Sequence, residues 1–112
     1  LSNDPVELPQ EVYAAENGAK EHRHHIYNQF VIRVQRRDDL RAYLQKNQVG
    51  CEIYYHLCLH QQECLKGYAD TNQHFPVAEA VATSSLALPI YPELSADQIT
   101  YVVETISKFY RN

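Results

Sequence analysis

Hydrophobic and polar positions change period several times along the chain, and each change predicts an element. From Ile26 to Val34, residues Ile26, Phe30, Ile32 and Val34 fall at even spacing with Asn28 as the polar interruption, while Tyr27, Gln29, Val31 and Arg33 take the other side. Such alternation marks a half-buried strand. Residues 37–47 switch to helical spacing: Leu40, Tyr43 and Leu44 share a face, and Asp38 and Asp39 stand in the first turn, where negative charge complements the helix dipole. The helix is expected to end near Gln48. β-branched and aromatic residues cluster over 49–55, which reads as a second strand with Gly50 permitting a bend. A polar stretch bearing Cys and His runs from His56 to His74, with a helical turn expected around 61–66.

Phe75-Pro76 opens the next helix, since proline at the first helical position loses no needed hydrogen bond and already has the right φ. Val77, Ala80, Val81 and Ser84 form a small-residue face suited to close packing on a sheet. Residues 86–91 are apolar but bounded by Pro89 and Pro92, so pairing there is brief or at an edge. The last helix has a capping box in Ser95 and Gln98, a Leu94–Ile99 staple, and Ile99, Val102, Val103, Ile106, Phe109 and Tyr110 at helical spacing. That face must be buried on the domain or on a missing remainder. Val6–Leu8 reads as a short edge strand inside an otherwise irregular linker, residues 1–24, punctuated by Pro5, Pro9 and Gly18. Together these elements predict an α+β fold: a two-layer sandwich with a small, mostly antiparallel sheet and helices on one face.

A length of 112 residues gives one domain, and 45% hydrophobic with 21% charged residues is ordinary for a folded one. Ten basic against 14 acidic residues leave a net charge of −4, which points to neither nucleic acid nor an anionic membrane. No segment approaches the roughly 18 apolar residues of a membrane span. The chain begins at Leu1 and contains no methionine, so it is expected to be a piece of something longer. Three cysteines, Cys51, Cys58 and Cys64, are too few and too odd for a secreted scaffold, and point to free thiols in a reducing cytoplasm.

Several side-chain groups invite a chemical reading. His56, Cys58 and His60 alternate, so an extended backbone would turn all three to one side; zinc takes such ligands, but no two cysteines stand two to four residues apart. A small buried Cys58 and histidines lining a polar pocket are the expectation, with no metal. His22, His24 and His25 cluster in the polar linker, and His25 stands apart by directly preceding the first strand. Arg33, Arg36, Arg37 and Arg41 would suit a phosphate, but Asp38 and Asp39 offset them, and a solvated strand–helix corner is expected. Tyrosine supplies nine of the aromatic residues; Tyr54-Tyr55 gains weight from His56 and His60 beside it. No lysine has the desolvated or cation-adjacent setting that a Schiff base needs, and three glycines leave no phosphate-cradling loop.

These segments carry a resemblance. The run from His25 to Val34 (HIYNQFVIRV), Arg37 to Leu44 (RDDLRAYL), Ile53 to His60 (IYYHLCLH), Phe75 to Glu79 (FPVAE) and Leu86 to Leu94 (LALPIYPEL) resembles, in order, the C-terminal domain of the DegT/StrS family. These are pyridoxal-phosphate-dependent aminotransferases acting on nucleotide-linked keto sugars. The resemblance covers about residues 25–110. It implies that residues 25–112 are the small domain of a fold-type I aminotransferase, typically a homodimer, whose large domain, absent here, holds the Schiff-base lysine and the cofactor. The fragment alone is then expected to be inactive and to hold no cofactor. The family's small domain presents a His/Tyr-Tyr-Pro-x-Pro-x-His segment to the sugar-nucleotide pocket, which falls on Tyr54, Tyr55 and His60; Tyr27 and His25 match its other recurring segment. His56 and Cys58 replace the family's prolines. Gln48 replaces a frequent glycine after the helix, where a left-handed residue is expected, and Asn47 is expected to take that role. The alternative reading is a regulatory or protein-interaction module derived from the same family.

Overall fold

The computed structural model describes residues 5–11, 25–68 and 73–111. Along them run β1 (Val6–Glu7), β2 (Phe30–Val34), α1 (Arg37–Lys46), the 3₁₀ turns Leu59–Gln61 and Glu63–Leu65, α2 (Pro76–Ser84), β3 (Ser85–Leu88) and α3 (Ala96–Arg111). The sheet has the order β1-β2-β3 and is antiparallel throughout, with Val6 opposite Val34 and Phe30 opposite Leu88. This is the small α+β domain that the patterning predicts.

The core forms where the two periods meet. Ile32 and Val34 of β2 and Leu86 of β3 project from one side of the sheet, and Leu40 and Leu44, one helical turn apart on α1, pack on them with Val49, Ile53 and Ile106. Leu40, Leu44 and Leu86 are completely buried. Burying each such side chain stabilises by about 1.5–3 kcal/mol. α3 begins with the expected box: Ser95 N–H donates to Gln98 Oε1 (2.9 Å) and Gln98 N–H to Ser95 Oγ (3.2 Å).

The main strand is shorter than its alternation suggests. Tyr27 takes a left-handed conformation (φ 47°), and its N–H donates to His25 Nδ1, so the backbone reaches strand geometry only at Phe30 and Ile26 is left 88% exposed. Residues 49–55 keep the predicted burial alternation, Val49 and Ile53 inward and Gly50 and Glu52 outward, yet join the sheet only through the Glu52–Ala87 bridge. Pattern reports burial; it does not report how many ladder bonds follow.

The left-handed residue that closes α1 is Gln48 and not Asn47. Gln48 N–H donates to Gln45 O and Val49 N–H to Leu44 O, with Gln48 at φ 58° and Asn47 at φ −93°. That is a Schellman closure, and its left-handed position is Gln48. A side chain there is strained, so Gln48→Gly is expected to stabilise the chain by about 1 kcal/mol. A rise in unfolding temperature checks this; a fall would show that the Gln48 side chain outweighs its backbone strain.

In the arginine run, Asp38 and Asp39 pair with Arg37 and Arg36 as expected and Arg36 is solvated, but Arg37 is not. Arg37 is 9% exposed, and its Nη1 donates to Ala82 O (3.2 Å) and Ser85 O (3.4 Å) where α2 passes into β3. Arg36 pairs with Asp39 and lies 4.8 Å above the Phe109 ring. Arg33 reaches Glu7, its cross-strand partner, and Arg41 reaches Glu52. The chain's own carboxylates, carbonyls and an aromatic ring engage all four guanidinium groups, although Arg33 Nε and Arg41 Nε have no hydrogen-bond partner among the described residues.

Two predicted faces change as well. On α2 the buried residue is Ala82, whose carbonyl accepts from Arg37, and Val77 and Val81 are exposed. On α3, Ile106, Val102, Phe109 and Tyr110 meet the core, whereas Ile99 and Val103 stay exposed beside an apolar groove bordered by Val6, Phe30 and Leu94.

Candidate functional site

Leu86 and Leu88 belong to the core side of β3, so strand alternation turns Ser85 and Ala87 to the other side. Both are buried, and each borders an open hollow walled by the stretch after α1. The first, about 560 Å³, is bordered by Asn28, Gln29, Cys51, Glu52, Tyr54 and Tyr91. The second, about 990 Å³, takes Tyr54, Tyr55, Leu59 and His60 from one side and Phe75 and Val81 from α2 and its entry. Tyr54 borders both.

The second hollow gathers three of the five predicted site residues. Tyr55 is 75% exposed, and its ring meets that of Tyr54 edge-on at 6.1 Å. Among the described residues no hydrogen bond engages either hydroxyl. His60 is more enclosed: its ring tilts against Phe75 at 4.9 Å, and its Nε2 lies 2.9 Å from Glu79 Oε1. The same carboxylate oxygen accepts the Phe75 N–H at 2.9 Å. The Phe75 amide and, after it, His60 hold the Glu79 carboxyl below the usual range. Its favourable contribution to folding is therefore complete at neutral pH and disappears only as the pH falls through that depressed value.

The other two predicted residues form a separate cluster at the entry to β2. The His25 and Tyr27 rings lie 4.2 Å apart, Phe30 stacks at 5.9 Å from Tyr27, and Tyr27 Oη donates to Glu11 (2.8 Å). That hydrogen bond, with the carboxylate beside it, pushes the Tyr27 phenol up. Neither residue borders the hollows, but their neighbours Asn28 and Gln29 border the first one. Asn28, Gln29 and Glu79 are the residues that pattern reading passed over. The signal for Asn28 was its place as a polar interruption in an apolar series; that for Glu79 was its place one turn after Phe75, at the end of a segment that carries the family resemblance.

Cys51 is half-buried, and burial, opposed by Arg41, pushes its thiol up, so it behaves as a small hydrophobe. Cys58 is half-buried, Cys64 is exposed, and all three are free thiols. Among the described residues no three His, Cys, Asp or Glu side chains are grouped to hold a metal, and no helix is long and apolar enough to cross a membrane. His22 and His24 lie outside the described residues. Lys66 and Lys108 are exposed and paired with Glu63 and Glu104, and Lys46 is exposed at the end of α1. None of these has the desolvated setting of a Schiff-base lysine, so the described residues do not fit a resident pyridoxal phosphate.

A small antiparallel α+β domain with an aromatic and histidine-lined hollow behind its last strand is the class that fold and site define. The chain belongs to the DegT/DnrJ/EryC1/StrS aminotransferase family, which it matches over residues 6–107 and so back through β1. It is 39% identical over 90 residues to a pleiotropic regulatory protein of Geobacillus stearothermophilus, covering 80% of this chain and 24% of that protein. It is 36% identical over 85 residues to a UDP-N-acetyl-3-dehydro-alpha-D-glucosamine 3-aminotransferase of Acidithiobacillus ferrooxidans, covering 76% and 22%. Its fold superposes on a DegT DnrJ EryC1 StrS aminotransferase from Brucella abortus with a TM-score of 0.75 at 28% identity, over 94% of this chain and 26% of that one. The chain thus spans about a quarter of the length of these relatives.

Proposed function

We propose that this chain is the small domain of a pyridoxal-phosphate-dependent aminotransferase that transfers an amino group to a nucleotide-linked keto sugar. In this reading the hollow at Tyr54, Tyr55 and His60 forms part of the sugar-nucleotide pocket, and His25 and Tyr27 support, through Asn28 and Gln29, the rim of the first hollow, which shares Tyr54 with it. The observation that carries it is the convergence of two tyrosines and a histidine on one open hollow, from the segment that resembles the family's substrate-contacting run. A relative named for amination of a UDP-linked keto sugar supports the substrate class. The cofactor, which supplies the electron sink for amino transfer, is assigned to the larger part of the protein, together with its lysine. The parent is expected to be a cytoplasmic homodimer.

The test is made on the full-length protein with pyridoxal phosphate, a panel of amino donors and nucleotide-linked keto sugars. Mass spectrometry is expected to find a carbonyl oxygen replaced by an amine. The 112-residue chain alone is expected to show no visible aldimine band; a borohydride-trapped adduct on one of its lysines would overturn the division of labour. A second reading, a regulatory or interaction module, is favoured by the relative named as a regulatory protein. The preceding sequence separates the two: an aldimine lysine there supports the enzyme, a DNA-binding or receiver pattern the regulator.

A further inference from the structure

The contact between Glu79 and His60 joins α2 to the first 3₁₀ turn across 19 residues of sequence, and it fixes the chemistry of the histidine as well as its place. An ionised carboxylate only accepts hydrogen bonds. With Glu79 Oε1 2.9 Å from Nε2, that nitrogen carries a proton, and in the neutral form of the ring the lone pair is then on Nδ1. Among the described residues no group donates to Nδ1, and the side chain, 13% exposed, borders the larger hollow. A second observation concerns charge. No lysine or arginine is among the described residues bordering that hollow, whose walls include Leu59, Phe75 and Val81. A diphosphate calls for cationic donors; a sugar with hydroxyl donors and apolar ring faces does not.

We infer, building on the function proposed above, that Glu79 is a positioning residue that sets His60 as a hydrogen-bond acceptor, so that His60 takes a hydroxyl or amide N–H of the sugar and not a phosphate oxygen. Glu79 also holds the Phe75 N–H, so ring and helix entry move together. Glu79→Gln keeps the shape and an acceptor for Phe75 but can turn its amide N–H₂ toward Nε2, which would move the imidazole proton to Nδ1 and make His60 a donor.

Two measurements on the full-length protein decide this. In ¹⁵N-histidine-labelled protein, titrated upward until the His60 ring is neutral and with the resonances assigned by their loss in His60→Asn, Nε2 of His60 is expected to keep its proton and Nδ1 to be bare. A neutral ring with its proton on Nδ1 overturns the role given to Glu79, whatever the protein binds. In calorimetry with UDP, dTDP and GDP, and with UDP-glucose, dTDP-glucose and GDP-mannose as probes, one nucleotide sugar is expected to bind more tightly than its bare nucleotide. Glu79→Gln should weaken that sugar conjugate by about three- to tenfold and leave the bare nucleotide unchanged. Equal weakening of both would mean that His60 reads phosphate, which refutes the inference. If no nucleotide sugar binds the unaltered protein, the proposed function falls, and the sugar half of this inference with it. Should Glu79→Gln fail to fold by circular dichroism, the nitrogen resonances decide the role of Glu79, and His60→Asn takes its place in the calorimetry with the same two outcomes.

Discussion

Replacing Arg37 by methionine is expected to destabilise the chain by about 2–4 kcal/mol, out of proportion to any other member of the arginine run. The guanidinium lies inside the protein and donates to the carbonyls of Ala82 and Ser85, with its Nε on Asp38 Oδ1 at 2.6 Å. A positive charge at the carbonyl end of α2 also meets the negative end of that helix. Methionine fills the space, yet leaves two carbonyls without this donor, and a buried acceptor that loses its partner costs more than the bond contributed. Arg37→Lys should fall between the two, because an ammonium cannot reproduce the planar fork. Arg36, exposed and paired with Asp39, serves as the control: Arg36→Ala is expected to cost about 1 kcal/mol or less. Urea unfolding of the three variants checks the order, and similar losses for Arg36→Ala and Arg37→Met would show that the buried hydrogen bonds contribute little.

On the function proposed above, replacing Tyr55 by phenylalanine or His60 by alanine in the full-length protein is expected to weaken use of a nucleotide-linked sugar substrate by about several-fold to a hundredfold. Tyr55 is exposed, so its hydroxyl can meet a ligand without displacing packing, and loss of that oxygen is not expected to alter stability. His60 touches Phe75 and Glu79, so its alanine variant should lower stability as well as activity. Cofactor affinity should hardly change, because the described lysines of this domain offer the cofactor no anchor. Steady-state kinetics and thermal unfolding, measured on the same preparations, separate the roles. Well-folded variants with unaltered sugar kinetics would remove Tyr55 and His60 from the pocket.

Much of this was legible in the sequence, for reasons that differ between elements. Local chemistry placed α1, α2 and α3: acidic residues in a first turn, Pro76 at a helix start and the Ser95/Gln98 box act over three or four residues. Alternation likewise placed Ile32, Val34, Val49 and Ile53 in the core. The same signal overran at Ile26, because a left-handed residue such as Tyr27 breaks a strand without breaking the hydrophobic series. At the end of α1, composition favoured asparagine, but the Schellman closure needs its left-handed residue one position later, at Gln48.

The site divides along the same line. The segment 53–60 could be singled out in sequence because tyrosines and histidines crowd together there, and resemblance to a known family gave that crowding a substrate class. The family itself was readable from five ordered segments, and the match over residues 6–107 bears it out. What only the tertiary structure decided is which side chains answer one another: Glu79 to His60, Arg37 to the carbonyls of Ala82 and Ser85, Asn28 and Gln29 to the hollow at Tyr54. Each of these pairs is separated by 19 or more residues. Hydrophobic period and capping are set by neighbours within a turn or two of chain, so the sequence alone determined them; a hydrogen bond between distant elements exists only once the core has fixed where those elements lie.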